Sequence, residues 1–451
     1  MNVLVPAILA ALVPLVFIVI VSKISSRYLR AAGVLGAALS FGLALVTVLL
    51  QGHGESISTL GPFVFHFDAV AASLSLPMTL AIAVIMLATP QKQLTTHMVN
   101  HAMGLLSAGL FAILADNPVT LITAEIISAL WAASLIREGY QGRALRLFMG
   151  ISIVAYLASI VVLGHMNILV QPFSQIEYTL AQEMYIVTGL LGLAVMNRLG
   201  VFPWSIWMAG TFEHSRGAQT LLAMVPMAGV APAIYLVEPM LEALNPHMLH
   251  TLVPVLLGAA VTSAALGLVQ NNLSRSFAFL LSSVEALILA GALDSSPMGV
   301  TGSEILWAST LLGATGFGLT VVVSMARVND CKFSAFGGLA AHTPALALFF
   351  LILGAAMTGI PGTTGFVGAE LILNGSVSHG IFPLILIVTV LCVQGLSVMR
   401  LFFTIFYGTP VKAAHGMELM TRERVAFFGT VIILILGGLL PSIIPLISAT
   451  A

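Results

Sequence analysis

The chain has 451 residues, 59% hydrophobic and 7% charged, with a formal net charge of −1. A soluble domain carries about a quarter charged residues, so the composition excludes a water-facing surface over most of the molecule and makes lipid its solvent. The near-neutral balance and the absence of a Lys/Arg run argue against nucleic acid, and two distant cysteines, Cys331 and Cys392, argue against a disulfide framework, an iron–sulfur cluster or a zinc site.

Apolar stretches long enough to cross a bilayer, about 17–25 residues, fall in chain order at 3–22, 31–50, 68–88, 101–115, 117–136, 147–170 and 182–200. They continue at 217–237, 251–270, 275–293, 304–326, 342–360, 366–407 (a short piece, then a full helix) and 425–448. The first lacks the basic flank of a secretion signal and is followed by Lys23, Arg27 and Arg30, so it reads as a retained helix. The expectation is an all-α polytopic membrane protein of about fourteen transmembrane helices. The loops check that count, because cytoplasmic loops collect Lys and Arg. All 16 basic residues fall in odd-numbered loops, from Lys23 through Lys92, Arg137, Arg198, Arg275 and Arg327 to Arg424. The even loops carry Glu55, Asp116, Glu177, Glu238, Glu242 and Asp294 instead. Both termini are therefore expected on the non-cytoplasmic side of a bacterial-type inner membrane.

Three carboxylates lie inside apolar spans: Glu125 in ITAEIISALW, Glu285 in LSSVEALILA and Glu370 in GFVGAELIL. A charge at bilayer depth costs on the order of 3 kcal/mol, so such residues face a bundle interior or a wet cavity. They read as a proton relay or ion path, or else as structural carboxylates at a helix or subunit contact. Two helices are also interrupted, the seventh at Asn197 to Pro203 and the twelfth at Gly359 to Gly365. Irregular backbone at that depth survives only where protein or water satisfies it, and paired broken helices mark transporters. Glu125 precedes Pro203 by 78 residues and Glu285 precedes Pro361 by 76. That near-equality predicts two inverted five-helix repeats, at 101–240 and 250–410, between an N-terminal segment at 1–100 and a last helix within 411–451. Arg198 is either a loop cation or an intramembrane partner for Glu125. His214, beside Glu213 and Arg216, can shuttle protons at neutral pH or be an ordinary loop histidine. His66 and Asp68 mark a membrane interface, and Glu183, His165 and His342 read as helix-end residues. No dinucleotide fingerprint, P-loop, nucleophile elbow or metal-spaced His/Cys set occurs, so no cofactor is expected and redox chemistry belongs to a partner.

Together these segments resemble the antiporter-like subunits of respiratory complex I, Mrp antiporters, membrane-bound hydrogenases and inorganic-carbon uptake complexes. The resemblance runs from FHFD at 65–68 through TAEIISALWAASLI, RLGVFPWSIWMAGTFEHS and NLSRSFAFLLSSVEALILAG to GGLAAHTPALALFFLILGAAMTGIPGTTGFVGAELIL and RLFFTIFYGTP. It implies a proton path past Glu125, Arg198, His214, Glu285 and Glu370. It also implies membrane and peripheral partner subunits of a hetero-oligomeric complex. The family's midplane lysines are missing here. Arg198 stands for one, and the others fall at Ala231, Ser274, Phe317 and Ala369, with Glu370 one place on. The resemblance implies proton movement coupled to redox chemistry on partners, with inorganic-carbon uptake or a non-pumping membrane anchor as alternatives.

Overall fold

A computed structural model describes residues 4–50, 57–136, 139–178, 182–214, 217–224, 230–294, 296–328, 338–408 and 418–441. Helices dominate because an apolar chain in lipid must satisfy its own backbone. The N-terminal segment holds α1 (Leu4–Val21), α2 (Leu29–Leu50) and α3 (Ala69–Ala88). Next come α4 (Thr96–Ile113), α5 (Pro118–Leu135), α6 (Gly139–His165), α7 (Gln182–Leu199) and the short α8 (Ile206–His214) and α9 (Gly217–Met224). Beyond them, α10 (Val230–Pro232), a π-helical turn (Ala233–Val237) and α11 (Glu238–Leu244) form an irregular stretch. The second half holds α12 (Pro246–Val269), α13 (Leu273–Ala292), α14 (Pro297–Val328), α15 (Pro344–Met357), α16 (Thr364–Gly375) and α17 (Ile381–Phe406). α18 (Thr421–Leu439) closes the described chain. Among the described residues, nine helices are long and apolar enough to cross a membrane. The molecule is a polytopic helical membrane protein.

Local chemistry explains the helix starts. Asp68 caps α3 by accepting from Ala71 N at 2.7 Å, and Asn117 caps α5 from Thr120 N at 3.0 Å, with Pro118 at the first helical position. Three expectations shift. The chain is not wholly α: Ile57–Leu60 (β1) and Phe63–His66 (β2) pair antiparallel around Gly61, whose φ is +62°. The aromatic and β-branched residues of Phe63-Val64-Phe65 suit a strand, and β2 is anchored by Asp116 N donating to Val64 O at 3.0 Å and His66 N to Leu114 O at 2.9 Å. Second, α14 starts at Pro297 instead of 304, because Ser296 Oγ accepts from Gly299 N at 3.0 Å ahead of a first-turn proline. Third, residues 225–229 of the expected span 217–237 lie outside the described residues, and its end is not regular α-helix, since Pro232 leads into the π-helical turn.

α14 is buried along its whole spanning window and α13 along 94% of it, whereas α1, α2, α6 and α17 are 33% buried. The first two form the centre and the others face lipid. α14 and α16 approach with only glycine between them. A Cβ on Gly368 would lie 2.5 Å from Leu306 N, and one on Gly302 would lie 2.7 Å from Ile372 N. Arginines at helix ends tie the rim. Arg275 Nη1 lies 3.2 Å from Glu213 Oε2, Arg327 Nη2 lies 3.0 Å from Glu423 Oε2, and Arg30 Nη1 donates to Leu87 O at 2.6 Å.

Candidate functional site

The last turn of α7 carries Arg198 into the interior because the chain breaks immediately after it. Gly200 takes φ +63° and the Phe202–Pro203 bond is cis. Trp204 N donates to Val201 O at 2.8 Å, and α8 resumes at Ile206. Facing this end is α5, whose Glu125 is 0% exposed; Arg198 is 1% exposed. Arg198 Nε stands 4.0 Å from Glu125 Oε2, and its Nη2 donates to Ser128 Oγ at 2.6 Å. Nη1 points at Met149 Sδ of α6, 3.1 Å away. Arg198 is thus the intramembrane partner of Glu125, and the loop-cation reading is set aside.

This pair is loosely satisfied. No close hydrogen bond reaches either Glu125 oxygen or Arg198 Nε, and the hydroxyl of Tyr156, buried on α6, is the carboxylate's hydrogen-bonding neighbour at longer range. Buried polar groups are ordinarily paired, by protein or by water. Orphans gathered around one charge pair are therefore chemistry to explain. A guanidinium holds its proton at any ordinary pH, so Arg198 supplies a fixed positive charge while Glu125 is the group able to gain and lose a proton.

Polar groups continue from the break toward the second half. Asn197 Nδ2 donates to Ser152 Oγ at 2.7 Å, and Trp207 Nε1 donates to Asn197 O at 3.0 Å. Ser282 Oγ of α13 donates to Gly200 O at 2.6 Å and lies 3.1 Å from Ser263 Oγ. At the next residue of α13, Ser283 Oγ accepts from Gln394 Nε2 at 2.8 Å, and two residues on comes Glu285, 1% exposed, with Oε2 unpaired. Glu285 has no cation like the one beside Glu125; no ion pair involves it among the described residues. Glu370 stands apart, exposed on the outer face of α16. His214 ends α8, and its side chain lies outside the described residues.

The four positions where the resemblance expects midplane lysines, Ala231, Ser274, Phe317 and Ala369, are all buried. Phe317 fills its place in a row of rings running Phe212, Phe277, Phe317, Phe350, Phe406, with centroids 5.1, 5.7, 4.8 and 5.2 Å apart. Missing from the sequence reading was a second polar group built on Asp68. Its Oδ2 accepts from Tyr235 OH at 3.0 Å, and Glu304 of α14, 4% exposed, is within electrostatic reach of both. The misplaced start of α14 hid Glu304, since a span opening at 304 makes it an end residue instead of one two turns inside. Nearby, burial pushes the Asp116 carboxyl up, with His66 pulling the other way.

A family profile described as NADH:quinone oxidoreductase/Mrp antiporter, TM matches residues 142–395. NADH-quinone oxidoreductase subunit N of Alkalilimnicola ehrlichii is 28% identical over 262 residues, covering 56% of this chain and 52% of that protein. The chain thus spans about half the length of this curated relative. Among solved structures, a chain of respiratory complex I from Thermus thermophilus with bound NADH has a TM-score of 0.87 at 21% identity, covering 98% of both chains. A chain of the Mrp complex from Dietzia sp. has a TM-score of 0.83 at 15% identity, covering 98% of this chain and 96% of that one. These structural likenesses speak to the fold.

Proposed function

Because the chain belongs to the NADH:quinone oxidoreductase/Mrp antiporter transmembrane family, we propose that it is an antiporter-like membrane subunit of a multi-subunit complex, moving protons in step with redox chemistry on its partners. One observation carries this: a fully buried carboxylate, Glu125, beside a permanent cation, Arg198, at the end of a broken helix, with no close hydrogen bond to the carboxylate oxygens or to Arg198 Nε. A proton on Glu125 weakens its attraction to Arg198 and a proton leaving restores it, so the site couples occupancy to local electrostatics. Each elementary charge crossing 100 mV exchanges about 2.3 kcal/mol, enough for a redox partner to drive or use.

Within this reading the path runs from Glu125 and Arg198 through the serines at the break to Glu285. His214 serves one mouth, and Glu370, turned outward, faces a neighbouring subunit. The fourteen crossings, the two inverted repeats at 101–240 and 250–410, the flanking segments 1–100 and 411–451, and termini on the non-cytoplasmic side of an inner membrane belong to the same proposal. The charge segregation and the twice-repeated order of carboxylate and break support it. The redox setting is preferred to inorganic-carbon uptake because the curated relative is named as a quinone oxidoreductase subunit.

A second reading, a non-pumping anchor, is favoured by the aromatic row that Phe317 joins at one missing-lysine position. One experiment separates them. With the complex in proton-tight vesicles, Glu125→Gln should cut coupled proton flux by about tenfold or more, the scale of losing a positioned proton-transfer group. Unchanged flux removes Glu125 from the path and leaves the anchor.

A further inference from the structure

At the end of α13 away from Arg275, three titratable side chains from three parts of the fold form a single hydrogen-bonded line. Asp294, in the turn before α14, is wholly buried. Its Oδ1 lies 2.9 Å from Nε2 of His379, a histidine of the α16–α17 connection with a side chain 4% exposed. Nδ1 of His379 in turn lies 2.7 Å from Nδ1 of His250, an exposed residue of the first turns of α12. Asp294 is held by Ser296 N at 2.9 Å to Oδ1 and Ser376 Oγ at 3.2 Å to Oδ2.

A structural staple between two loops needs one imidazole on one carboxylate. The second ring adds something a staple does not use. Two Nδ1 atoms can bond only if one carries a proton and the other accepts it, so the rings share a proton along a line running from solvent to a buried carboxylate. Histidine is the side chain whose ordinary titration falls between pH 5 and 8. We propose that His250, His379 and Asp294 form a proton-exchange port, serving Glu285 roughly 13 Å inward along α13 at 1.5 Å per residue. This rests on the proton-moving role above.

The step balances. A proton from water binds His250 Nε2, and His250 releases Nδ1–H to His379 Nδ1. His379 then releases Nε2–H to Asp294 Oδ1. One proton has left solvent and one has reached the carboxylate; both rings end in the opposite tautomer with unchanged charge.

The first half holds a counterpart. Ser134 lies nine residues beyond Glu125, as Asp294 does beyond Glu285. Its Oγ is 2.9 Å from His101 Nε2, and the His101 and His97 rings lie with centroids 3.9 Å apart, tilted by 31°. Under the inverted arrangement, that pair sits at the opposite membrane face, so each half carries a histidine pair at one mouth.

The test uses the purified complex in vesicles, with zinc added to the face bearing Asp294, since zinc takes imidazole nitrogen readily. Zinc should slow wild-type flux. His379→Gln, which keeps a hydrogen bond but cannot relay, should slow metal-free flux about tenfold or more while the complex stays assembled. Asp294→Asn should weaken zinc binding, read by calorimetry, about tenfold, as losing the carboxylate behind a ligating histidine does. Normal flux in both His379→Gln and His250→Gln, with Glu125→Gln impaired, overturns the port and spares the proton-moving role. Zinc binding that persists in His379→Gln also overturns it, and wild-type complex without flux overturns both.

Discussion

Arg198 meets a carboxylate, a hydroxyl and a thioether at once, and only the first carries charge. Removing one member of a buried pair strands the other, at a cost of about 3–5 kcal/mol. Arg198→Met should therefore lower the thermal midpoint of the detergent-solubilised protein clearly. Adding Glu125→Gln in the same chain should recover most of that loss, because the stranded charge is gone. If the double variant melts no higher than the single one, the two residues are not coupled as the 4.0 Å separation implies. At this scale the sequence was readable where depth alone decides. Glu125 and Glu285 stand in apolar runs and are buried, whereas Glu370, in a similar run, is exposed because it lies on the outer face of α16. Reach across the fold was harder to see. Asp68, read as an interface marker, bonds a tyrosine 167 positions away, and the Asp294–His379–His250 line joins three distant segments whose spacing carries no motif.

Among elements, α14 and α16 meet where glycine permits backbone-to-backbone approach. Gly368→Ala should destabilise by about 1–3 kcal/mol, the usual cost of overpacking, because the atoms it meets are main-chain and cannot turn aside. Gly395→Ala on α17 is the control, as an added Cβ meets nothing within 4 Å. Comparing their melting temperatures decides the matter, and equal midpoints would refute a glycine-limited contact. Both helix breaks were legible because glycine and proline announce them: positive φ occurs at Gly200, Gly359 and Gly362. The hairpin of β1 and β2 was not, because strands of four residues leave little periodicity and their stability comes from Leu114 and Asp116, far along the chain.

For the whole molecule, segregation of charge among loops makes a prediction about sidedness. Single cysteines placed at Lys23 and at Asn167 should react with a membrane-impermeant reagent from opposite faces of sealed vesicles, Lys23 from the cytoplasmic one. Reaction from the same face would break the alternation on which the inverted repeats depend. Architecture was the most legible level, since lipid leaves a chain few ways to satisfy its backbone. The centre was less so: α13 and α14 are no more apolar than the lipid-facing helices, and only packing shows that they are enclosed.

The bond from Ser282 Oγ to Gly200 O has a mechanical side. It fastens a carbonyl released by the broken helix of one half to the central helix of the other. Sliding α13 away from the break would strip that carbonyl of its donor in a medium without water, costing about 1–3 kcal/mol. The break beyond Arg198 and the helix that bears Glu285 are thus fastened at this point, and a displacement of either is resisted by the other.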